Sequence, residues 1–439
     1  MDKARRVLEK LALADYEAYL VGGCVRDLLL NKIPKDFDIT TNALPECIEE
    51  IFSGYRTLRT GIKHGTITVI FEDEPFEITT YRTDGIYSDH RRPDQITFSA
   101  SLQEDLARRD FTINAMAYNE AEGLVDPYNG KEDLEKGILR CVGDAALRFE
   151  EDALRLLRLL RFASELGFHA EEKTEIAAYE KKELLEKVSK ERVREECSKL
   201  LCGKHAGQVL VKWIKVLGVV LPELLPMEGF QQRNPHHKYD VLCHTAAVVD
   251  SIPEKPYLRW TALLHDIGKP WRYTVDKHGI GHFYGHAKES ENIAEIILKR
   301  LKMDRESISK ILLLIRYHDF RIEAKTELVK EWLCKLGKEN FEDLLLLKKA
   351  DLAGQNPLGG KKNRKLEALC AVTRDILERG QCYQLKDLRI DGNDLIENGM
   401  QSGEQIGYAL HLLLKNVIKG CVVNEKEMLL DFLIKEELL

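Results

Sequence analysis

Strand-like alternation is confined to roughly the first 140 residues of this 439-residue chain. The runs TITVIFE and FEITTYR alternate apolar and polar side chains with period two, as half-buried strands do. From Ala145 to about Leu201 the apolar residues, among them Leu154, Leu157, Phe162 and Leu166, recur at three- and four-residue spacing, and the remainder also reads as helical. That division excludes a doubly wound fold, in which strands and helices alternate over most of the length. The expected fold class is α+β: a small mixed-sheet head (residues 1–140), an all-α neck (141–225), a helical, histidine-rich body (226–355) and a helical tail (356–439). NPLGGKKNRK, at the start of the tail, reads as a loop.

Hydrophobic residues at 44% and charged residues at 32% exclude a disordered or fibrous chain. No apolar run approaches the ~18 residues of a membrane span, so no membrane partner is expected. The N-terminal stretch carries charges throughout and has no apolar signal core. The ten cysteines form no CxxC pair, the closest two being Cys197 and Cys202, which suits reduced thiols in a cytoplasmic protein. With a net charge of −7, an RNA partner would have to be held by a local basic patch.

Chemistry is concentrated in a few short strings. Gly22 and Gly23 lie between a strand, ending LV, and a helix opening VRDLLL, where backbone amides can approach a phosphate and Arg26 can reach the same anion. Asp36-Phe37-Asp38 follows thirteen residues after Gly23. In a strand, i and i+2 share a face, so both carboxylates would converge while Phe37 turns to the core. Two such carboxylates repel unless a divalent cation lies between them, and Mg²⁺ favours one or two carboxylates completed by substrate phosphates. Glu77, on a neighbouring strand, is a candidate third.

These residues resemble the nucleotidyltransferase superfamily that includes DNA polymerase β. More narrowly, LVGGCVRDLLLNKIPKDFDITTNA is similar to the first motif of class II CCA-adding tRNA nucleotidyltransferases and the related bacterial poly(A) polymerases. ARRDFTINAMAY, with Arg109 and Asp110 adjacent, offers donors and acceptors suited to a ribose hydroxyl beside a phosphate; the resemblance implies selection of ribonucleotides there. DPYNGKEDL, with Asp126, Gly130 and Asp133, resembles the family's hinge between head and neck.

EEDALRLLRLLRF is expected to form one helix, with Asp152 and Arg155 three apart on one face, Glu151 flanking Arg155, Arg158 continuing the stripe and Arg161 further around. Cytosine and adenine each present an amino donor beside a ring-nitrogen acceptor. A carboxylate only accepts and a guanidinium only donates, so Asp152 and Arg155 together match these two bases and mismatch uracil and guanine. The resemblance implies the same: a protein template for CTP and then ATP. Arg158 and Arg161 would support the base or triphosphate. YRTDGIYSDHRRPDQITF resembles the flexible loop of CCA-adding and A-adding enzymes, and TGIKHGTITV lacks the Gly-Arg-Arg-Phe run typical of bacterial poly(A) polymerases.

The body supplies HTAAVVD, LLHDIGKP, YGHAKES, IRYHD and KKADLAG, hence His244, His265, Asp266, His286, His318 and Asp351; eight of the thirteen histidines lie between His236 and His318. This set resembles the metal ligands of HD phosphohydrolases, and imidazole with carboxylate suits a divalent transition metal. The expected activity is template-independent addition of C, C and A to the tRNA 3′ end from CTP and ATP, with pyrophosphate released and the acceptor arm as RNA partner. Mg²⁺ is the expected cofactor of the head, and the HD body would add a phosphohydrolase activity. Competing readings are a poly(A) polymerase or A-adding enzyme, and an HD phosphohydrolase whose head only binds RNA.

Overall fold

The TITVIFE alternation becomes a strand whose Ile67, Val69 and Phe71 are buried while the residues between them are half-buried. It belongs to a seven-stranded sheet in the computed structural model, which describes residues 1–85, 96–234, 238–355 and 360–439. The strands are β1 (Ala18–Val21), β2 (Asp38–Thr41), β3 (Arg56–Leu58), β4 (Thr66–Phe71), β5 (Glu74–Thr80), β6 (Arg82–Asp84), β7 (Ile96–Phe98), β8 (Ala117–Asn119) and β9 (Gly123–Val125). The sheet order is β3-β4-β5-β2-β1-β8-β9, with β6 and β7 forming a separate ribbon. Only the β2–β5 pair is parallel among these ladders, so the sheet is mixed, and its register sets Asp38 directly opposite Glu77.

Two units result, Met1–Leu225 and Pro226–Leu439. In the first, the helices after the sheet include Ala145–Glu151, Leu154–Leu166 and Lys190–Leu201. Leu154–Leu166 is buried on most sides; Leu156, Leu157, Leu159 and Leu160 are fully buried, as expected of a central helix, while Arg155, Arg158 and Arg161 line its polar side. Among its described residues the second unit has helices and the two-residue strands Thr274–Val275 and Gly281–His282. Its last helices close a core of Leu395, Leu413, Leu429 and Leu433. No described helix is long and apolar enough to cross a membrane.

Three local expectations change. Asp36 lies in a bend before β2 rather than within it, because the strand starts at Asp38; Phe37 is half-buried and stacks on Phe76 at 6.5 Å. EEDALRLLRLLRF is two helices, broken at Asp152, which has extended φ/ψ of −133° and 103°. The Asp152 carboxylate accepts the Leu154 amide two residues on at 3.0 Å, a local bond that competes with helix continuation. Helix Gly360–Glu378 occupies most of the stretch read as a loop; residues 356–359 are outside the described residues, as are 86–95 of YRTDGIYSDHRRPDQITF.

The DPYNGKEDL segment is tightly tied. Asp126 accepts the Gly130 and Lys131 amides at 2.7 and 2.9 Å, and buried Asp133 accepts the Thr112 hydroxyl at 2.7 Å. A Cβ at Gly130 would stand 2.2 Å from Thr112 O, so Gly130→Ala should destabilise the N-terminal unit by about 1–3 kcal/mol in chemical denaturation, through backbone displacement.

Candidate active site

Gly22 follows β1 in a left-handed conformation (φ 77°) that an L side chain resists, and a Cβ there would meet Arg109 Nη1 at 3.0 Å. The turn therefore brings the start of helix Gly23–Leu29 against the ARRDFTINAMAY segment. Arg26 is buried; its Nη1 donates to Asn114 Oδ1 at 2.8 Å, and Asn114 Nδ2 donates to Asp110 at 3.1 Å. Asp110 in turn accepts Arg158 Nε at 2.7 Å. Burial alone would raise the Asp110 carboxyl, but Arg158 and Asn114 hold it down at about 2. It is an acceptor only.

One cavity of about 850 Å³ collects Gly22, Gly23, Arg26, Asp36, Asp38, Arg109, Asp110, Asp152, Arg155, Arg158 and Arg161. Of the candidate catalytic and nucleotide-binding residues in this unit, Glu77 and Glu151 do not line it. Glu77 reaches the acidic cluster through the β2–β5 register, and Glu151 acts behind the wall, where its Oε2 accepts Arg155 Nη1 at 2.6 Å. Burial, then the charges of Asp36 and Glu77, raise Asp38 to about 6, against the pull of Arg109. A carboxylate made costly by its neighbours is one that a divalent cation would stabilise, so the donor set fits such an ion. Arg161 is less available than its position suggests: buried, it donates to Glu196 at 3.1 Å.

Four residues of this unit and the next escaped motif reading. Asp105, wholly buried, accepts Arg108 at 2.7 Å and Arg109 at 3.3 Å; its spacing four before Arg109 on a helical stretch could have flagged it. Asn114 sat inside a recognised motif. Arg192 binds Asp152 and has no local signal at all. Lys269, in LLHDIGKP, belongs to the second cluster.

That cluster lies wholly within the C-terminal unit. His244, His265, Asp266 and Asp351 each offer a ligand atom within 4.8 Å of the others, and Asp266, His286 and His318 form an overlapping group. Each imidazole Nδ1 faces a backbone carbonyl: Gly354, Ala262, Phe283 and Ile315 at 3.1, 2.7, 2.8 and 2.6 Å respectively. A carbonyl only accepts, so the Nδ1 proton is fixed and each Nε2 turns toward Asp266. His286 and His318 Nε2 stand 3.2 Å apart, and buried His265 Nε2 lies 3.2 Å from Asp266 without hydrogen-bond alignment. Lone pairs crowded in this way suit a metal ion. Burial would lower His244, but Asp266 and Asp351 keep its proton on up to about 9; His318 is held down by burial and by the neighbouring imidazoles. Lys269 Nζ approaches Asp266 Oδ2 at 2.6 Å and Gln232 at 2.9 Å.

The chain is 37% identical over 431 residues to the CCA-adding enzyme of Lactobacillus delbrueckii subsp. bulgaricus, covering 98% of this chain and 97% of that one. It belongs to the CCA-adding enzyme family. The enzyme of Lactobacillus helveticus is 35% identical over 438 residues, covering 98% and 96%. The Bacillus stearothermophilus CCA-adding enzyme, crystallised in complex with CTP, superposes with a TM-score of 0.71 at 29% identity over 99% of this chain and 97% of that one. Family models describe residues 18–140 as a poly A polymerase head domain and 279–433 as tRNA nucleotidyltransferase domain 2. Nucleotidyltransferases of this family use a divalent metal, and the His/Asp cluster of the C-terminal unit has the donors to hold one.

The raised Asp38 value gives a pH signature. Between 3.8 and about 6 the folded chain keeps a proton there that the unfolded chain has released, so this group's contribution to stability falls as pH rises through that window. Divalent cation should offset the loss. Differential scanning fluorimetry should show a larger Mg²⁺-induced rise in Tm at pH 7 than at pH 5, and Asp38→Asn should remove most of the difference.

Proposed function

We infer that this chain adds C, C and A to the 3′ end of tRNA, drawing on CTP and ATP, releasing pyrophosphate and using no nucleic-acid template. The observation that carries the reading is a single cavity lined by the acidic pair Asp36 and Asp38, by phosphate-competent arginines and by the base-matching Asp152 and Arg155. It occurs in a chain with full-length relatives named CCA-adding enzymes.

Asp36 and Asp38, with Glu77 opposite, are the residues that would hold Mg²⁺. Bound there, the ion would acidify the tRNA 3′-hydroxyl and offset charge on the departing pyrophosphate. The Gly23 amide, Arg26 and Arg109 receive the triphosphate, while Gly22, whose amide donates to Met116 O at 3.2 Å, shapes the turn. Asp110, kept ionised by its arginine and asparagine partners, accepts the ribose 2′-hydroxyl in place of one of the donors it holds here. Arg158 fixes Asp110, while Arg161 braces the cavity against Glu196 and adds positive potential. Asp152 accepts the amino group of cytosine or adenine and Arg155 donates to the ring nitrogen. Uracil and guanine reverse both contacts, and each unpaired buried group costs about 1–3 kcal/mol. The acceptor arm is read by shape and phosphate contacts, since A-form helices offer side chains little sequence; the tail beyond Leu385 is a proposed contact.

In domain terms, we propose a head (1–140), a base-reading neck (141–225), an HD-type body (226–355) and a tail (356–439), working in the cytoplasm. The body supports a second activity. Four imidazoles converging on Asp266, with Asp351 alongside, are the residues that would hold a divalent transition metal for phosphoester hydrolysis; such an ion would polarise a phosphoryl oxygen and supply hydroxide.

The deciding experiment offers tRNA lacking its last three nucleotides, with Mg²⁺ and labelled CTP, ATP, UTP and GTP singly and together. CTP alone should add two residues and CTP with ATP three; long tails from ATP alone would indicate a poly(A) polymerase. Asp38→Asn should abolish incorporation, and Asp152→Ala should retain turnover while reducing the preference for CTP over UTP roughly tenfold or more. His265→Ala should lower transition-metal binding, measured by calorimetry on the full chain, and leave CTP incorporation intact. Loss of CTP incorporation in His265→Ala would contradict two independent centres.

A further inference from the structure

An acid and an arginine three residues apart attract each other, and a pair closed on itself would turn its hydrogen-bonding edges inward. Neither side chain could then read a base. In this structure each member is instead held by a separate counter-charge. Arg155 Nη1 donates to Glu151 Oε2 at 2.6 Å and to Arg148 O at 3.0 Å, and Nη2 donates to Arg108 O at 2.8 Å. Asp152 receives the fork of Arg192, Nη2 to Oδ2 at 2.9 Å and Nη1 to Oδ1 at 3.3 Å. Arg192 comes from helix Lys190–Leu201, forty residues away in sequence, and lines the same cavity.

The geometry points to Arg192 as a positioning residue for nucleobase selection: it holds the Asp152 carboxylate away from Arg155 and aimed at the incoming base. This rests on the reading of Asp152 and Arg155 as the base-matching pair. An ionised carboxylate has about four lone-pair sites. Arg192 takes two and the Leu154 amide a third, which leaves one for the exocyclic amino group of cytosine or adenine. A guanidinium suits this task because its planar fork fixes both oxygens at once, which an ammonium cannot do. Side-chain exposures of 24% and 18% for Arg192 and Asp152 set the pair apart from a freely solvated surface bridge. Glu151 does for Arg155 what Arg192 does for Asp152, so the template is a row of four alternating charges of which only the inner two face the base.

The test uses the full chain, Mg²⁺, tRNA lacking its last three nucleotides, and single-nucleotide kinetics with each of the four NTPs. Arg192→Ala should raise the KM for CTP and ATP with little change for UTP and GTP, so that the CTP-over-UTP ratio of kcat/KM falls about tenfold or more. Arg192→Lys, which keeps the charge and loses the fork, should fall between wild type and Arg192→Ala. Equal losses across all four nucleotides would mark Arg192 as merely structural and overturn the proposal. So would a ratio within about twofold of wild type in a protein where Asp152→Ala abolishes the preference. An Asp152→Ala protein that keeps its preference would instead defeat the base-matching reading itself. If Arg192→Ala does not fold, Arg192→Lys and Arg192→Gln carry the same comparison.

Discussion

The Asp105 carboxylate, with no exposed surface, gathers the groups around which the head cavity is built. It accepts both Arg108 and Arg109 and the Thr40 hydroxyl from β2. Arg109 is thereby set beside Asp38, where its charge opposes the rise in that carboxyl's pKa. The Arg108 carbonyl receives Arg155, so the same node reaches the base-matching pair. Removing one partner from a buried charge pair costs about 3–5 kcal/mol, because the other charge is left without compensation. A site that must bind a polyphosphate and a divalent cation carries many charges of both signs. Asp105 fixes two of the arginines, so that an incoming anion finds them already oriented.

The C-terminal unit solves a related problem with one acidic hub. Asp266, 2% exposed, is approached by four imidazoles and by Lys269. The imidazoles are aimed by carbonyls at helix ends and turns, so the convergence is a property of the backbone. Its ligand orientation is fixed before any ion arrives, which reduces the reorganisation that binding requires.

Much of this was legible in local sequence. Gly22 and Asp38 were placed by strand and turn signals, and Arg109 and Asp110 by adjacency. Glu151 was recognised as the neighbour of Arg155 from a four-residue spacing, and the ion pair is present. Other readings failed for local physical reasons. Asp152 bonded its own i+2 amide and broke the expected helix. Asp36 fell outside β2 and projects from a bend. Gly360 and the lysines after it entered a helix despite the loop-like composition.

Periodicity and motif spacing determined a sheet-bearing head, helical remainder and the chemical identity of the two clusters, because each of those signals lies within a few residues along the chain. The long-range counter-charges were decided by tertiary structure alone. Asp152 pairs with Arg192, Arg158 with Asp110, and His244 with Asp351, across 40, 48 and more than 100 residues respectively. Such pairings depend on which faces of distant helices and strands pack together, and an ion pair leaves no periodic trace in the segments that supply it.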